Sequence, residues 1–141
     1  MSKPYDDALL GQIEKRAVDM AHGAGAILRE HFSKPLDVQF KDKNKRDLVT
    51  NVDKESQQFL CKAIAENYPD HGILGEEDEV DQEQESPAQD FVWILDPLDG
   101  TKNYVGGLPI YASSIGVLYR GVPIVGAVYV PWPGGDGGAV L

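Results

Sequence analysis

The chain has 141 residues, of which 42% are hydrophobic and 26% are charged, and this composition predicts one soluble globular domain with a single core. Its formal net charge of −10 argues against a nucleic-acid partner, because no basic face could easily dominate such a surface. Cys61 is the only cysteine, which excludes an intramolecular disulfide.

The segment from Met1 to Asp7 contains no apolar signal-peptide core. No apolar run approaches the ~20 residues that a membrane span needs. These two features predict a cytoplasmic protein without a membrane partner.

The first predicted element is an amphipathic helix that begins after Asp6 or Asp7 and ends by Pro35. Its apolar residues recur at steps of three and four: Leu9, Ile13, Ala17, Met20, Ala24, Ile27, Leu28 and Phe32. The middle of the helix is rich in alanine and glycine, which predicts close packing against a sheet or another helix. We interpret His22 and His31 as surface or packing residues.

Two short strands, Val38–Phe40 and Leu48–Thr50, are predicted on either side of a polar loop with four cations. Thr50-Asn51-Val52-Asp53 then has the spacing of a capping box, with Thr50 as the cap and Asp53 at the third helical position. A second helix is therefore predicted, closing at Pro69. Capping by itself accounts for Asp53.

Ile73-Leu74 is a brief apolar segment, and the run from Glu76 to Glu85 that follows it contains seven acids in ten residues. Most of this run is typical of a solvated loop. Glu76 is the exception, because it follows Gly75 directly at the end of the apolar segment, where the backbone can turn a carboxylate inward. His71, beside a turn glycine, is interpreted as structural.

The central stretch of the chain is a buried strand, Phe91–Leu95, that ends in two carboxylates, Asp96 and Asp99. Pro97 has no amide proton, so the strand ladder is predicted to stop at Asp96. Asp99 is predicted to cap a helical turn whose free amides, at Gly100 and Thr101, face an anion. Carboxylates beside free amides suit a Mg²⁺ ion that holds a phosphate. The competing interpretation is that these acids are ordinary turn residues.

Two further apolar strands, Ile110–Tyr119 and Val122–Val130, flank Arg120-Gly121 and predict a hairpin. The segment from Pro131 to Gly138 has no strand or helix pattern. The predicted fold class is α+β, an antiparallel sheet packed against two helices, with the carboxylates of Glu76, Asp96 and Asp99 gathered at one end.

Four motifs together resemble the inositol monophosphatase family of Mg²⁺-dependent, lithium-sensitive sugar phosphatases. They are Thr50-Asn51-Val52-Asp53, Gly75-Glu76-Glu77, the stretch from Trp93 to Thr101, and Leu108-Pro109 before an apolar strand. The resemblance runs from about Asp6 to Pro131. It implies that residues 1–131 form the N-terminal metal-binding half of the layered sugar-phosphatase fold. Residues 132–141 would be a Gly/Pro-rich tail, and the C-terminal substrate domain would be absent.

The resemblance also implies the roles of individual residues. The Mg²⁺ ligands would be Glu76, Asp96, the backbone carbonyl of Leu98, and Asp99, with Asp53 completing the site through a water. Thr101 would activate the attacking water together with Glu76, and the amides of Gly100 and Thr101 would hold the substrate phosphate. A loop lysine would approach the site, with Lys41 and Lys43 as equal candidates.

The implied reaction is hydrolysis of a phosphate monoester of inositol or a related sugar. Fructose 1,6-bisphosphate and 3′-phosphoadenosine nucleotides are alternative substrates within the family. The chain also resembles the haloacid dehalogenase phosphatases at Leu98-Asp99-Gly100-Thr101, but the position of their nucleophilic aspartate is Pro97 here, and proline cannot be a nucleophile. A non-enzymatic alternative is a structural or regulatory half-molecule. The expected partners are a small phosphate ester and either a second copy of this chain or a missing C-terminal half.

Overall fold

The computed structural model describes residues 5–40, 48–75, 89–132 and 138–141, with the backbone alone for Leu48. Three helices and seven strands lie in these ranges. In chain order they are α1 (Asp7–His31), β1 (Val38–Phe40), β2 (Leu48–Thr50), α2 (Asn51–Asn67), β3 (Gly72–Gly75), β4 (Phe91–Asp99), α3 (Thr101–Val105), β5 (Ala112–Tyr119), β6 (Val122–Val130) and β7 (Ala139–Val140).

The strands form two sheets. β1 and β2 pair antiparallel, and the second sheet has the strand order β3-β4-β5-β6-β7. This mixture of helices and sheets confirms the predicted α+β class. One pairing differs from the prediction, because β3 runs parallel to β4 with Gly75 opposite Leu95. Parallel neighbours need a connection of about a dozen residues or more, and the chain between Gly75 and Phe91 is long enough to supply it.

The core lies between the larger sheet and the two long helices. Alternate residues of the central strands point to the helices and are buried, as the pleat of a strand requires: Trp93, Leu95, Ile115, Val117, Ala127 and Tyr129. Helix α1 contributes Ile13 and Leu28, and α2 contributes Leu60 and Ile64, all with no exposed surface. Each such aliphatic side chain stabilises the fold by roughly 1.5–3 kcal/mol when it is fully buried.

Helix α1 begins as predicted, since the side chain of Asp6 accepts a hydrogen bond of 2.7 Å from the amide of Leu9. The small residues in its middle have the predicted packing role. A Cβ atom at Gly25 would lie 2.3 Å from the ring of Tyr129 on β6, so only glycine lets the helix approach the sheet this closely.

The hairpin of β5 and β6 is also confirmed. Its two turn residues, Arg120 and Gly121, have φ angles of 47° and 81°, the left-handed conformations that match the twist of a tight hairpin. The sequence did not predict β7, which pairs with the end of β6 at Tyr129 and Val130. Two residues are too short for an alternating pattern to be recognised.

None of the helices in the described ranges is both long enough and apolar enough to cross a lipid bilayer.

Candidate active site

The end of β4 carries the two central carboxylates. The prediction that Pro97 ends the ladder at Asp96 is wrong, because β4 continues to Asp99 and pairs there with Ala112. The register shifts between Asp96 and Asp99, so the strand bulges where the proline lies. A bulge leaves a residue outside the ladder, and it is one of the few strand positions that proline tolerates.

The bulge determines how the acids are presented. Pro97 and Leu98 are buried, whereas Asp96 is half-buried and Asp99 is exposed. The carbonyl oxygen of Leu98 accepts a hydrogen bond from the Thr101 hydroxyl at 3.2 Å. The end of β4 therefore carries oxygen groups of the type that hard cations prefer: two carboxylates and a carbonyl.

Helix α3 begins directly after this strand, but not in the predicted way. Its N-cap is Gly100, in the left-handed conformation with φ of 84°, and no side-chain cap is formed among the described residues. The prediction that Asp99 caps the helix is therefore wrong. Asp99 is paired with Ala112 in the sheet, which leaves Gly100 to turn the chain. Glycine is also required there by space, because a Cβ would lie 2.8 Å from the carbonyl oxygen of Ile110.

Asp53 lies at the start of α2 with no exposed surface. The predicted capping box is present. The hydroxyl oxygen of Thr50 accepts from the amides of Val52 and Asp53 at 3.1 and 3.2 Å, and Oδ1 of Asp53 accepts from the amide of Thr50 at 2.8 Å. The Thr50 hydroxyl also donates to Oδ1 of Asp53. One oxygen of the carboxylate thus carries the capping interactions.

The second oxygen of Asp53 points to the other half of the site. Oδ2 accepts a hydrogen bond from the Thr101 hydroxyl at 3.2 Å. Burial raises the pKa of Asp53 above its ordinary value of 3.8, and the hydrogen bonds from Thr50 and Thr101 oppose that shift. The carboxylate therefore caps its helix and also joins α2 to the end of β4.

Gln57 was not singled out from the sequence. It lies one helical turn after Asp53, is 8% exposed, and packs its amide against Gly75 at the end of β3. The signal that could have found it is the step of four residues from Asp53, which places both side chains on the buried face of α2.

His71 has the structural role predicted for it. Its ring stacks between Tyr68 and Phe91, with both centroid distances at 4.6 Å, and Nδ1 accepts a hydrogen bond of 3.0 Å from the indole of Trp93. Burial lowers the pKa of His71, and Asp70 opposes that shift. This histidine is part of the packing between α2 and β4.

Glu76, Lys41 and Lys43 lie outside the described residues. Within residues 5–40, 48–75, 89–132 and 138–141, no three His, Cys, Asp or Glu side chains come close enough to hold a metal ion. The described acids Asp96 and Asp99, with the Leu98 carbonyl, are oxygen groups whose chemistry fits a hard cation. An open groove of about 280 Å³ lies beside Asp96 and is lined by Leu74, Gly75, Ile94 and Leu95.

The sequence profile of the inositol monophosphatase family matches residues 10–137. A protein of Aquifex aeolicus named fructose-1,6-bisphosphatase/inositol-1-monophosphatase is 40% identical over 112 residues, which are 79% of this chain and 41% of that protein. The Nus factor SuhB of Escherichia coli strain K12 is 39% identical over 115 residues, which are 82% of this chain and 42% of that protein.

The fold is also found among solved structures. Staphylococcal inositol monophosphatase-1, in an inhibitory complex soaked with LiCl, matches with a TM-score of 0.75 and 28% identity. The match covers 92% of this chain and 46% of that one. The chain therefore spans less than half the length of these three relatives.

Proposed function

Since this chain belongs to the inositol monophosphatase family, we propose that it contributes the cation site and water-activating residues of a Mg²⁺-dependent phosphatase. The substrate is a phosphate monoester of inositol or a related sugar, and water attacks the phosphorus directly. Fructose 1,6-bisphosphate is the alternative that the name of the Aquifex aeolicus relative favours.

The observation that carries this proposal is the contact between Asp53 and Thr101. A buried carboxylate and a hydroxyl from distant parts of the sequence lie 3.2 Å apart at the end of a strand that also carries Asp96 and Asp99. Helix capping explains the hydrogen bonds that Oδ1 of Asp53 accepts, but it does not require Oδ2 to accept a hydrogen bond from Thr101. A catalytic base that acts through a hydroxyl does require that arrangement.

The proposed cation ligands are Glu76, Asp96, the Leu98 carbonyl and Asp99, with Asp53 linked through a water. When bound, Mg²⁺ would neutralise phosphate charge and lower the pKa of a coordinated water. The inhibitory LiCl complex of the staphylococcal relative supports a cation site in this fold and motivates the expectation of lithium sensitivity.

The chain's own residues would orient and deprotonate the attacking water. The single proton of the Thr101 hydroxyl is directed at Asp53 and the Leu98 carbonyl, which leaves its oxygen lone pairs to accept a hydrogen bond from water. Asp53 can then accept the Thr101 proton, and its raised pKa makes the carboxylate a better base. We assign Glu76 the role of activating the same water. We assign the amides of Gly100 and Thr101 the role of binding the substrate phosphate.

The test is a single-turnover hydrolysis of inositol monophosphate in ¹⁸O-water, with and without Mg²⁺. Direct attack puts the label into the released phosphate in the first turnover. Asp99→Asn serves as the control that removes a proposed ligand and should suppress turnover. A trapped acyl phosphate on Asp96, or full turnover in the presence of a chelator, would exclude the proposed reaction.

A further inference from the structure

One face of α2 is buried along its whole length, and its chemistry changes along the axis. Towards the C-terminal end the face carries Leu60 and Ile64, which pack into the core. Towards the N-terminal end the same face carries Asp53, Ser56 and Gln57, all buried. Burying polar side chains costs free energy unless they make specific contacts, so the contacts of Asp53 and Gln57 need a physical explanation.

Gln57 contacts the end of β3. A Cβ atom placed on Gly75 would lie 2.5 Å from Oε1 and 2.7 Å from Nε2 of Gln57, so the amide occupies the space where a side chain at position 75 would begin. The backbone of Gly75 is not in the left-handed region. Space, rather than conformation, is therefore the reason for glycine at this position.

Helix α2 contacts the ends of two neighbouring strands. Gln57 reaches Gly75 of β3, and Asp53 reaches Thr101 just after β4. The two strands run parallel with Gly75 opposite Leu95, one residue before Asp96. Since Asp53 and Gln57 are about 6 Å apart along the helix axis, α2 sets a fixed separation between these strand ends.

We propose that Gln57 is a positioning residue of the candidate cation site, which holds the end of β3 at a set distance from Asp53 and β4 without touching the cation itself. This inference rests on the proposed function. Residues that orient ligands from behind typically change metal affinity or activity by about 10–100-fold when they are replaced. Removing the amide of Gln57 is expected to change Mg²⁺ affinity within that range.

The test compares Gln57→Met with Gln58→Met in the full chain. Methionine keeps the length and flexibility of glutamine and removes its amide, and Gln58 is the exposed neighbour on the same helix. Mg²⁺ affinity is measured by titration calorimetry, and the unfolding midpoint is recorded for each variant. We expect Gln57→Met to bind Mg²⁺ about 10-fold more weakly and Gln58→Met to bind as the unsubstituted chain does.

Gly75→Ala changes the same contact from the side of β3. Its added methyl group would displace the amide, which is the far end of a flexible side chain. The variant is expected to weaken Mg²⁺ binding as Gln57→Met does. The double variant should be no weaker than the single ones, because both remove one contact.

Three outcomes separate the possibilities. Weaker Mg²⁺ binding in Gln57→Met and Gly75→Ala, with Gln58→Met unchanged, supports the proposal. Unchanged Mg²⁺ affinity, even with a lower unfolding midpoint, overturns it, since Gln57 would then serve packing only. If the unsubstituted chain binds no Mg²⁺, the proposed function fails and the positioning role fails with it.

Discussion

The hydroxyl of Thr101 lies 3.2 Å from Oδ2 of Asp53, across 48 residues of sequence. This contact joins the first turn of α2 to the turn that follows β4. It places a buried carboxylate behind a hydroxyl that is half-exposed.

Replacing Thr101 by valine should slow turnover, and it should also lower the free energy of unfolding by about 1–3 kcal/mol because the buried Oδ2 of Asp53 loses a hydrogen bond. Valine keeps the shape of threonine but removes the hydroxyl, so Asp53 can no longer act through it on a water. General-base catalysis typically contributes about 10²–10⁴-fold, and we expect kcat to fall by at least about 10²-fold with a smaller change in KM. Thr101→Ser retains the hydroxyl and should keep most of the activity. Equal kcat values for the valine and serine variants would exclude a catalytic role for the hydroxyl.

Replacing Asp53 by asparagine should raise stability at neutral pH and abolish activity. Burial raises the pKa of Asp53 above 3.8, so the folded chain favours the protonated form. That stabilisation is complete below 3.8 and is lost as pH rises through the raised folded pKa, above which the burial of the charge disfavours the folded chain. Asparagine carries no charge and removes this pH dependence.

The measurement is thermal unfolding with a chelator present, from about pH 4 to about pH 7. Asp19→Asn, on an exposed position of α1, is the control for the loss of one negative charge. A lower unfolding midpoint for Asp53→Asn than for the unsubstituted chain at neutral pH would mean that the hydrogen bonds to Thr50 and Thr101 outweigh the cost of burial.

Mg²⁺ should stabilise the folded chain through the carboxylates of β4. A ligand at 100 times its dissociation constant adds about 2.7 kcal/mol to the free energy of unfolding, which corresponds to several degrees for a domain of this size. Asp96→Asn should lose most of that shift. Asp90→Asn is the matched control at the other end of β4, where Asp90 is exposed and pairs with Arg120 at 3.1 Å. Equal Mg²⁺ shifts in the two variants would remove Asp96 from the ligand set.

His71 should make stability depend on pH without affecting catalysis. Burial lowers its pKa below 6.5, so the stability that neutral His71 contributes is present above 6.5 and is lost as pH falls through the lowered folded pKa. His71→Phe keeps the stacking but leaves the buried indole of Trp93 without its acceptor, a loss of about 1–3 kcal/mol. Urea unfolding at several pH values checks both effects, with exposed His22→Phe as the control. If the pH-dependent step in stability remains in His71→Phe, that step belongs to another group.

Several parts of the structure were predictable because the signals lie within a few residues of each other. Asp6 caps α1, and the spacing of Thr50 and Asp53 predicted the capping box that begins α2. The turn at Arg120-Gly121 likewise predicted the β5–β6 hairpin. In each case one side chain or one backbone conformation satisfies the hydrogen-bonding groups of the same turn. The interaction is therefore local and can be predicted from the sequence.

The sequence by itself thus determined where α1, α2 and the β5–β6 hairpin begin and that acids follow the apolar strands. Only the tertiary structure decided that β3 runs parallel to β4, that β4 passes Pro97 through a bulge, and that Oδ2 of Asp53 meets Thr101. The contact between Gln57 and Gly75 belongs to the same group. These features join residues that are far apart in the chain. Their positions depend on how the sheet and the two helices together bury one shared core, and no short stretch of sequence contains that information.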